Sequence, residues 1–153
     1  MLVSQTIDRT RAFPPRMTEF TRRFWQGLAS GDFQTTQCED CERLTFPPKS
    51  FCPHCWSEGV RWVPLSGRGK LYSQTVVHAA PMVFQEETPY RVGIVDLDEG
   101  LRIATRVLSE TEPGLDTPVE IVVLRYRDGP LFAARPLTDP ASALAFSSAS
   151  NRS

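Results

Sequence analysis

The sequence predicts a mainly β protein built, in chain order, from an N-terminal helix, a compact four-cysteine ribbon and a five-stranded barrel. Three observations carry this expectation. An aromatic stripe at helical spacing lies between Thr18 and Gly31. All four cysteines of the chain fall within one stretch, CEDCERLTFPPKSFCPHC, from Cys38 to Cys55. Between Lys70 and Leu137 five segments have strand character, and none has a helical period.

The 153 residues suit about one domain, or a small domain with a smaller module, on the scale of ~100–200 residues per domain. Hydrophobic residues make up 41%, enough for a core, and the formal net charge is -1. The pI of about 6.1 argues against a nucleic-acid partner, which usually demands a strongly basic domain. The opening residues, MLVSQTIDRTRAF, hold no apolar region of the ~7–15 residues that an export signal needs. No run approaches the ~18 consecutive apolar residues of a membrane span. A cytoplasmic protein with no membrane partner is therefore expected, and in that reducing setting paired C-x-x-C motifs bind metal more often than they form disulfides.

Residues 1–17 are polar, contain Pro14 and Pro15, and are expected to be irregular. Phe20, Phe24, Trp25 and Leu28 fall on one helical face, with Thr18 as the start signal and Gly31 as the stop. Core packing is the ordinary use of such a stripe. Its size on so short a helix also predicts that Phe20, Phe24 and Trp25 dock in part onto a partner protein. This N-terminal segment runs to residue 33 and the cysteine ribbon occupies residues 34–58.

Residues 59–137 form the β half. VRWVPL (60–65) is a short lead-in strand, followed by the SGRG turn and by KLYSQTVVHA (70–79). The segment 80–89, with two prolines, reads as a long loop. YRVGIVDL (90–97) and LRIATRV (101–107) are joined by DEG, while PVEIVVLRY (118–126) and LFAARPL (131–137) are joined by RDGP. Five strands fit a small barrel of the OB-fold type. A β-sandwich is the alternative, although it usually takes about seven strands. The Ser/Ala-rich tail, residues 138–153, is expected to be disordered.

In the ribbon, two C-x-x-C pairs stand ten residues apart, so Cys38, Cys41, Cys52 and Cys55 are the candidate metal ligands. A tight turn presents two thiolates to one ion, and two facing turns complete a tetrahedral shell. Zinc is the expected ion; iron takes the same four-cysteine set, and spacing does not separate the two. Such a shell is closed and has no open position for substrate, so its expected role is structural.

No catalytic residue is expected in this chain. It has no phosphate-binding Gly-rich loop, no G-x-S-x-G and no H-E-x-x-H, and the cysteines are committed to metal. Ser73, His78 and Asp96 show no spacing that would unite them. Arg91, Arg102, Arg106, Arg125, Arg127 and Arg135 sit on strands or strand ends. Some could meet the phosphates of an anionic ligand, but most are expected to pair with acidic residues such as Asp96, Asp98, Glu99, Glu110 and Glu112.

The aromatic helix FWQGLASGDF, the cysteine stretch, WVPLSGRGKLYSQTVVHAAP, YRVGIVDLDEGLRIATRV, PVEIVV and the closing Phe132-x-x-x-Pro136 follow one another in a specific order. Over roughly residues 20–137 this pattern resembles the DUF35 family. The resemblance implies a rubredoxin-like zinc ribbon followed by an acyl-CoA-associated OB-fold. It further implies a non-catalytic accessory subunit that bridges or completes a complex with a thiolase-superfamily enzyme, such as a thiolase, a thiolase-like aldolase or a hydroxymethylglutaryl-CoA synthase system. Acyl-CoA is the ligand it suggests, with no binding residues fixed. By motif match the four cysteines look like the zinc ligands. Where the family often has Gly after the second cysteine, this chain has Glu42. The apolar loop Pro81, Met82, Val83 and Phe84 joins the aromatic helix face as a candidate partner surface, with Met82 and Phe84 at its centre. A single-stranded nucleic-acid-binding module is the competing use of a ribbon and an OB-fold.

Overall fold

The structure, a computed structural model, describes residues 1–137. The expected disorder of residues 138–153 lies outside the described residues.

The helix, α1, spans Arg22–Ala29 and starts one turn later than Thr18 suggests. Thr18 instead builds the approach. Its backbone N–H donates to the Thr21 hydroxyl at 2.9 Å, the Thr21 N–H returns a bond to the Thr18 hydroxyl at 3.1 Å, and Arg22 N–H donates to the Thr18 carbonyl at 2.9 Å. Gly31 ends the helix as expected, at φ 88, the left-handed region where glycine has no side chain to strain. Two turns of helix are not stable alone; α1 is held by burial of Phe24 and Leu28.

Two sheets follow. The smaller is the ribbon: β2 (Gln34–Cys38) lies between β3 (Leu44–Thr45) and β4 (Val60–Pro64), both antiparallel to it. β4, expected as a lead-in to the barrel, belongs to this ribbon sheet, because its whole length from Val60 to Pro64 pairs with Cys38 back to Gln34.

The larger sheet contains the five expected strands: β5 (Arg68–Val77), β6 (Tyr90–Leu97), β7 (Arg102–Arg106), β8 (Pro118–Tyr126) and β9 (Gly129–Pro136). β5 pairs with β6 along most of its length, with a bulge between Leu71 and Ser73, and β6 pairs with β7. β8 and β9 form a hairpin, and β5 meets β8 only over Arg68–Lys70. The expected barrel is thus barely closed. β7 and β9 touch through one parallel bridge, Val107 to Ala134, supported by Leu108 N–H donating to the Ala134 carbonyl at 2.8 Å. Along the rest of that seam lies a cavity lined by Ile103, Ala104 and Phe132. The segment expected as a loop, 80–89, contains a 3-10 helix at Met82–Glu87.

The N-terminus is not irregular throughout. β1 (Ser4–Thr6) lies parallel to β8, Ser4 opposite Val123 and Thr6 opposite Arg125. It covers the edge of β8 that β5 leaves free, an edge that would otherwise expose unpaired backbone groups.

The main core holds Leu28, Leu71, Val95, Ile103, Val119, Ile121 and Val123. β8 is buried on both faces, since Val122 and Leu124 pack into a second cluster with Ala133. That explains its unbroken apolar run IVVL. Four phenylalanines join the modules: Phe24 of α1, Phe33 before the ribbon, Phe46 of the ribbon and Phe132 of β9. Every pair of these rings has centroids between 5.6 and 6.2 Å apart.

Candidate functional site

β2 ends at Cys38, and the chain turns back through Cys41; a second turn of the same shape carries Cys52 and Cys55. In each, the residue after the second cysteine donates its N–H to the carbonyl of the first: Glu42 to Cys38 at 3.1 Å, Trp56 to Cys52 at 2.8 Å. Both donors are left-handed, with φ 63 and 64, so Glu42 adopts the backbone conformation for which glycine is better suited. Ser57 ties the turns together. Its hydroxyl donates to Asp40 and accepts the Gly59 N–H at 3.1 Å.

The four sulfurs lie within 4.8 Å of one another, with Cys38 to Cys55 and Cys41 to Cys52 each at 3.5 Å. Four thiolates around one ion at Zn–S distances of ~2.3 Å would stand about 3.8 Å apart, so the donor set and its spacing fit a single tetrahedral ion. The backbone prepares it. Asp40 and Cys41 N–H groups both point at the Cys38 sulfur from 3.4 Å. The Cys41 N–H leads in drawing the Cys38 thiol down to about 7. At Cys55 the Ser57 N–H favours the thiolate, but the facing thiols, Cys38 first, and burial outweigh it and push that thiol up to about 12. Four facing sulfurs cannot all carry charge without a cation between them.

The structure separates the five residues predicted to form a partner surface. Phe24 is 4% exposed at the centre of the phenylalanine cluster and takes no part in any exposed face, because the helix needs it to bind the barrel. Phe20 is half-buried with its ring 5.2 Å from that of Trp62. Trp25 is half-buried and lines a groove with Phe46, Pro47 and Pro48. Met82 is 86% exposed. Phe84 is half-buried between Phe13 and Tyr90, each ring 6.4 Å away. Phe13, exposed beside Phe84, was not legible as part of this patch, since it is a lone aromatic in a polar segment.

Most strand arginines are paired. Arg102 binds Asp96 at 2.6 Å, Arg106 binds Glu87 at 2.5 Å, Arg135 binds Glu120 at 2.7 Å and Arg127 binds Asp8 at 2.8 Å. Ser73, His78 and Asp96 share no hydrogen bond among the described residues. Among these residues, too, no helix is long and apolar enough to cross a membrane.

A four-cysteine ribbon stapled by aromatic packing to an OB-type sheet defines a ribbon-and-barrel protein. Residues 25–61 match the family model described as ChsH2, rubredoxin-like zinc ribbon domain. Residues 62–124 match the one described as ChsH2, C-terminal OB-fold domain. A DUF35 domain-containing scaffold protein of Methanocaldococcus jannaschii is 37% identical over 73 residues, 47% of this chain and 52% of that protein. The benzoylsuccinyl-CoA thiolase subunit BbsA of Thauera aromatica is 43% identical over 97 residues, 60% of this chain and 63% of that subunit. The alignments thus span about half to two thirds of these relatives. Among solved structures, a chain described as Ltp2-ChsH2(DUF35) aldolase superposes with a TM-score of 0.70 at 28% identity, covering 80% of this chain and 98% of that one. The two matched domains abut and together take in well over half of the sequence, and a DUF35 domain-containing scaffold protein of Pyrococcus furiosus is 32% identical over 97 residues, 60% of this chain and 68% of that protein; the chain belongs to the DUF35 family.

Proposed function

We propose that this chain is a non-catalytic accessory subunit of a complex built around a thiolase-superfamily enzyme, a thiolase or a thiolase-like aldolase, and that it supports acyl-CoA binding or transfer by that enzyme. The observation that carries the reading is the 43% identity to a thiolase subunit. The likeness to almost the whole of the DUF35 chain described with an aldolase supports it.

The geometry suits such a role. Cys38, Cys41, Cys52 and Cys55 hold one structural zinc ion in a closed shell, which supplies folding energy and no open position for chemistry. The phenylalanine cluster fixes ribbon, helix and barrel relative to one another, so a partner meets a preorganised surface. Met82, Val83 and Phe84, with Phe13 and the half-buried Trp25 and Phe20, supply the apolar contacts. The reducing cytoplasm is the setting in which the four thiols remain free to take metal.

The test is co-purification. The affinity-tagged chain, produced with its cellular partners, should recover a thiolase-superfamily protein in fixed stoichiometry; recovery of the chain alone at every salt concentration would refute the reading.

A further inference from the structure

The edge of β7 that faces β9 is open, and its backbone groups can be assigned one by one. Leu97 N–H donates to the Leu101 carbonyl at 2.7 Å, and Val107 N–H donates to the Arg91 carbonyl at 3.0 Å. Between these two bonds the β6–β7 register is unbroken. In an antiparallel pair the bonded residues alternate, so Ile103 and Thr105 turn their backbone groups to β6. Arg102, Ala104 and Arg106 turn theirs to the seam. There only the Val107–Ala134 bridge answers them, at one end. No hydrogen bond reaches the N–H or C=O of Arg102 or Ala104 from that side among the described residues. Beside these free groups lies the seam cavity of about 570 Å³, walled by Trp25, Phe46, Pro47, Pro48 and Phe132. Arg16 stands at its rim with no carboxylate within 4.0 Å among the described residues.

We propose that an extended segment of the partner enzyme adds to β7 as a short strand, pairing with Arg102 and Ala104 and placing one bulky apolar side chain in the Trp25–Phe132 groove. Free N–H and C=O groups repeating at every second residue ask for another extended backbone, and the apolar pocket beside them selects the side chain. The unpaired charge of Arg16 adds a preference for a carboxylate in that segment. The proposal rests on the subunit reading above and specifies where the partner touches.

The experiment is residue-resolved amide exchange on the full chain, free and with the co-purified thiolase-superfamily enzyme, together with two variants. In the free chain Ile103 and Thr105 should exchange slowly, and Arg102 and Ala104 fast. The enzyme should slow Arg102 and Ala104 by at least about tenfold. Ala104→Pro removes an N–H that β6 does not use, so it should keep the fold yet weaken partner affinity about tenfold. Ala104→Ser keeps that N–H and should change little. Should Ala104→Pro unfold the chain, the exchange measurement on the unaltered chain decides alone. Binding of the enzyme with Arg102 and Ala104 still fast overturns the strand addition and leaves the subunit reading standing. Slowing by a CoA thioester alone, or slowing that grows with chain concentration alone, overturns the choice of occupant. No binding of the enzyme at all removes both readings.

Discussion

Phe46 of the ribbon and Phe132 of β9 meet edge to face, their centroids 5.9 Å apart and their planes at 83°. This contact joins the metal-binding half directly to the barrel. Edge-to-face pairs contribute about 0.5–1.5 kcal/mol beyond burial. A double-mutant cycle with Phe46→Leu and Phe132→Leu, read by denaturant unfolding, should give a coupling of that size. Phe33→Ala, at a fully buried member of the same cluster, should cost about 3–5 kcal/mol.

Glu42 sits in left-handed backbone at φ 63, a conformation costing an ordinary residue about 1–2 kcal/mol. Glycine removes that strain but loses about 0.5–1 kcal/mol to its freer unfolded chain. Glu42→Gly should therefore stabilise the metal-loaded protein by about 0.5–1 kcal/mol. Trp56→Gly should gain less, because Trp56 stacks on Phe51 at 5.7 Å with the planes 3° apart. Thermal unfolding of both variants checks the order.

One zinc per chain should be found by metal analysis, and Cys52→Ser should lose it. A strong chelator should unfold the ribbon and, through Phe46, loosen α1. The signal is fast exchange in β2, whose residues Thr35 and Thr36 are buried in the intact protein.

The N-terminal strand is clasped by acid chemistry at its far end. Arg11 N–H donates to Asp128 Oδ1 at 2.8 Å, and this bond, with the Arg11 guanidinium behind it, holds the Asp128 carboxyl below its ordinary range. A carboxyl lowered by folding stabilises the fold above its unfolded value of ~3.9 and loses that contribution as pH falls through the folded value. The clasp should thus open only in acid, seen as a shift of the Arg11 amide resonance. Asp128→Asn should abolish this pH dependence, whereas Arg11→Ala should keep most of it, because the backbone bond dominates.

Gly69 lies where β5 is flanked by both β6 and β8, and a Cβ there would overlap the Asp96 carbonyl oxygen. Gly69→Ala should cost about 1–3 kcal/mol by overpacking, measured by denaturant unfolding against the parent chain.

Much of this molecule was legible in its sequence. The five barrel strands follow from apolar, β-branched segments with no helical period, two of their connections being Glu-Gly and Asp-Gly turns, and the cysteine cluster follows from spacing alone. The rest depends on contacts that local pattern does not encode. β1 is polar and three residues long, and it forms only because β5 abandons the edge of β8. Phe24 carries the same helical signal whether it faces solvent or core. Its burial is decided by Phe33, Phe46 and Phe132, which come from three other segments. The seam between β7 and β9 is likewise invisible to periodicity, since pairing across it joins residues 27 positions apart through one bridge.

The role proposed for this chain is that of a non-catalytic accessory subunit on which a thiolase-superfamily enzyme depends. The direct measurement is the turnover of the co-purified thiolase-superfamily enzyme, assayed alone and with this chain added in equimolar amount. The chain alone should be inactive, the enzyme should gain activity as the chain is added up to a fixed ratio, and Cys52→Ser should lose the effect. An enzyme equally active with and without the chain, and eluting separately from it, would rule out the accessory role.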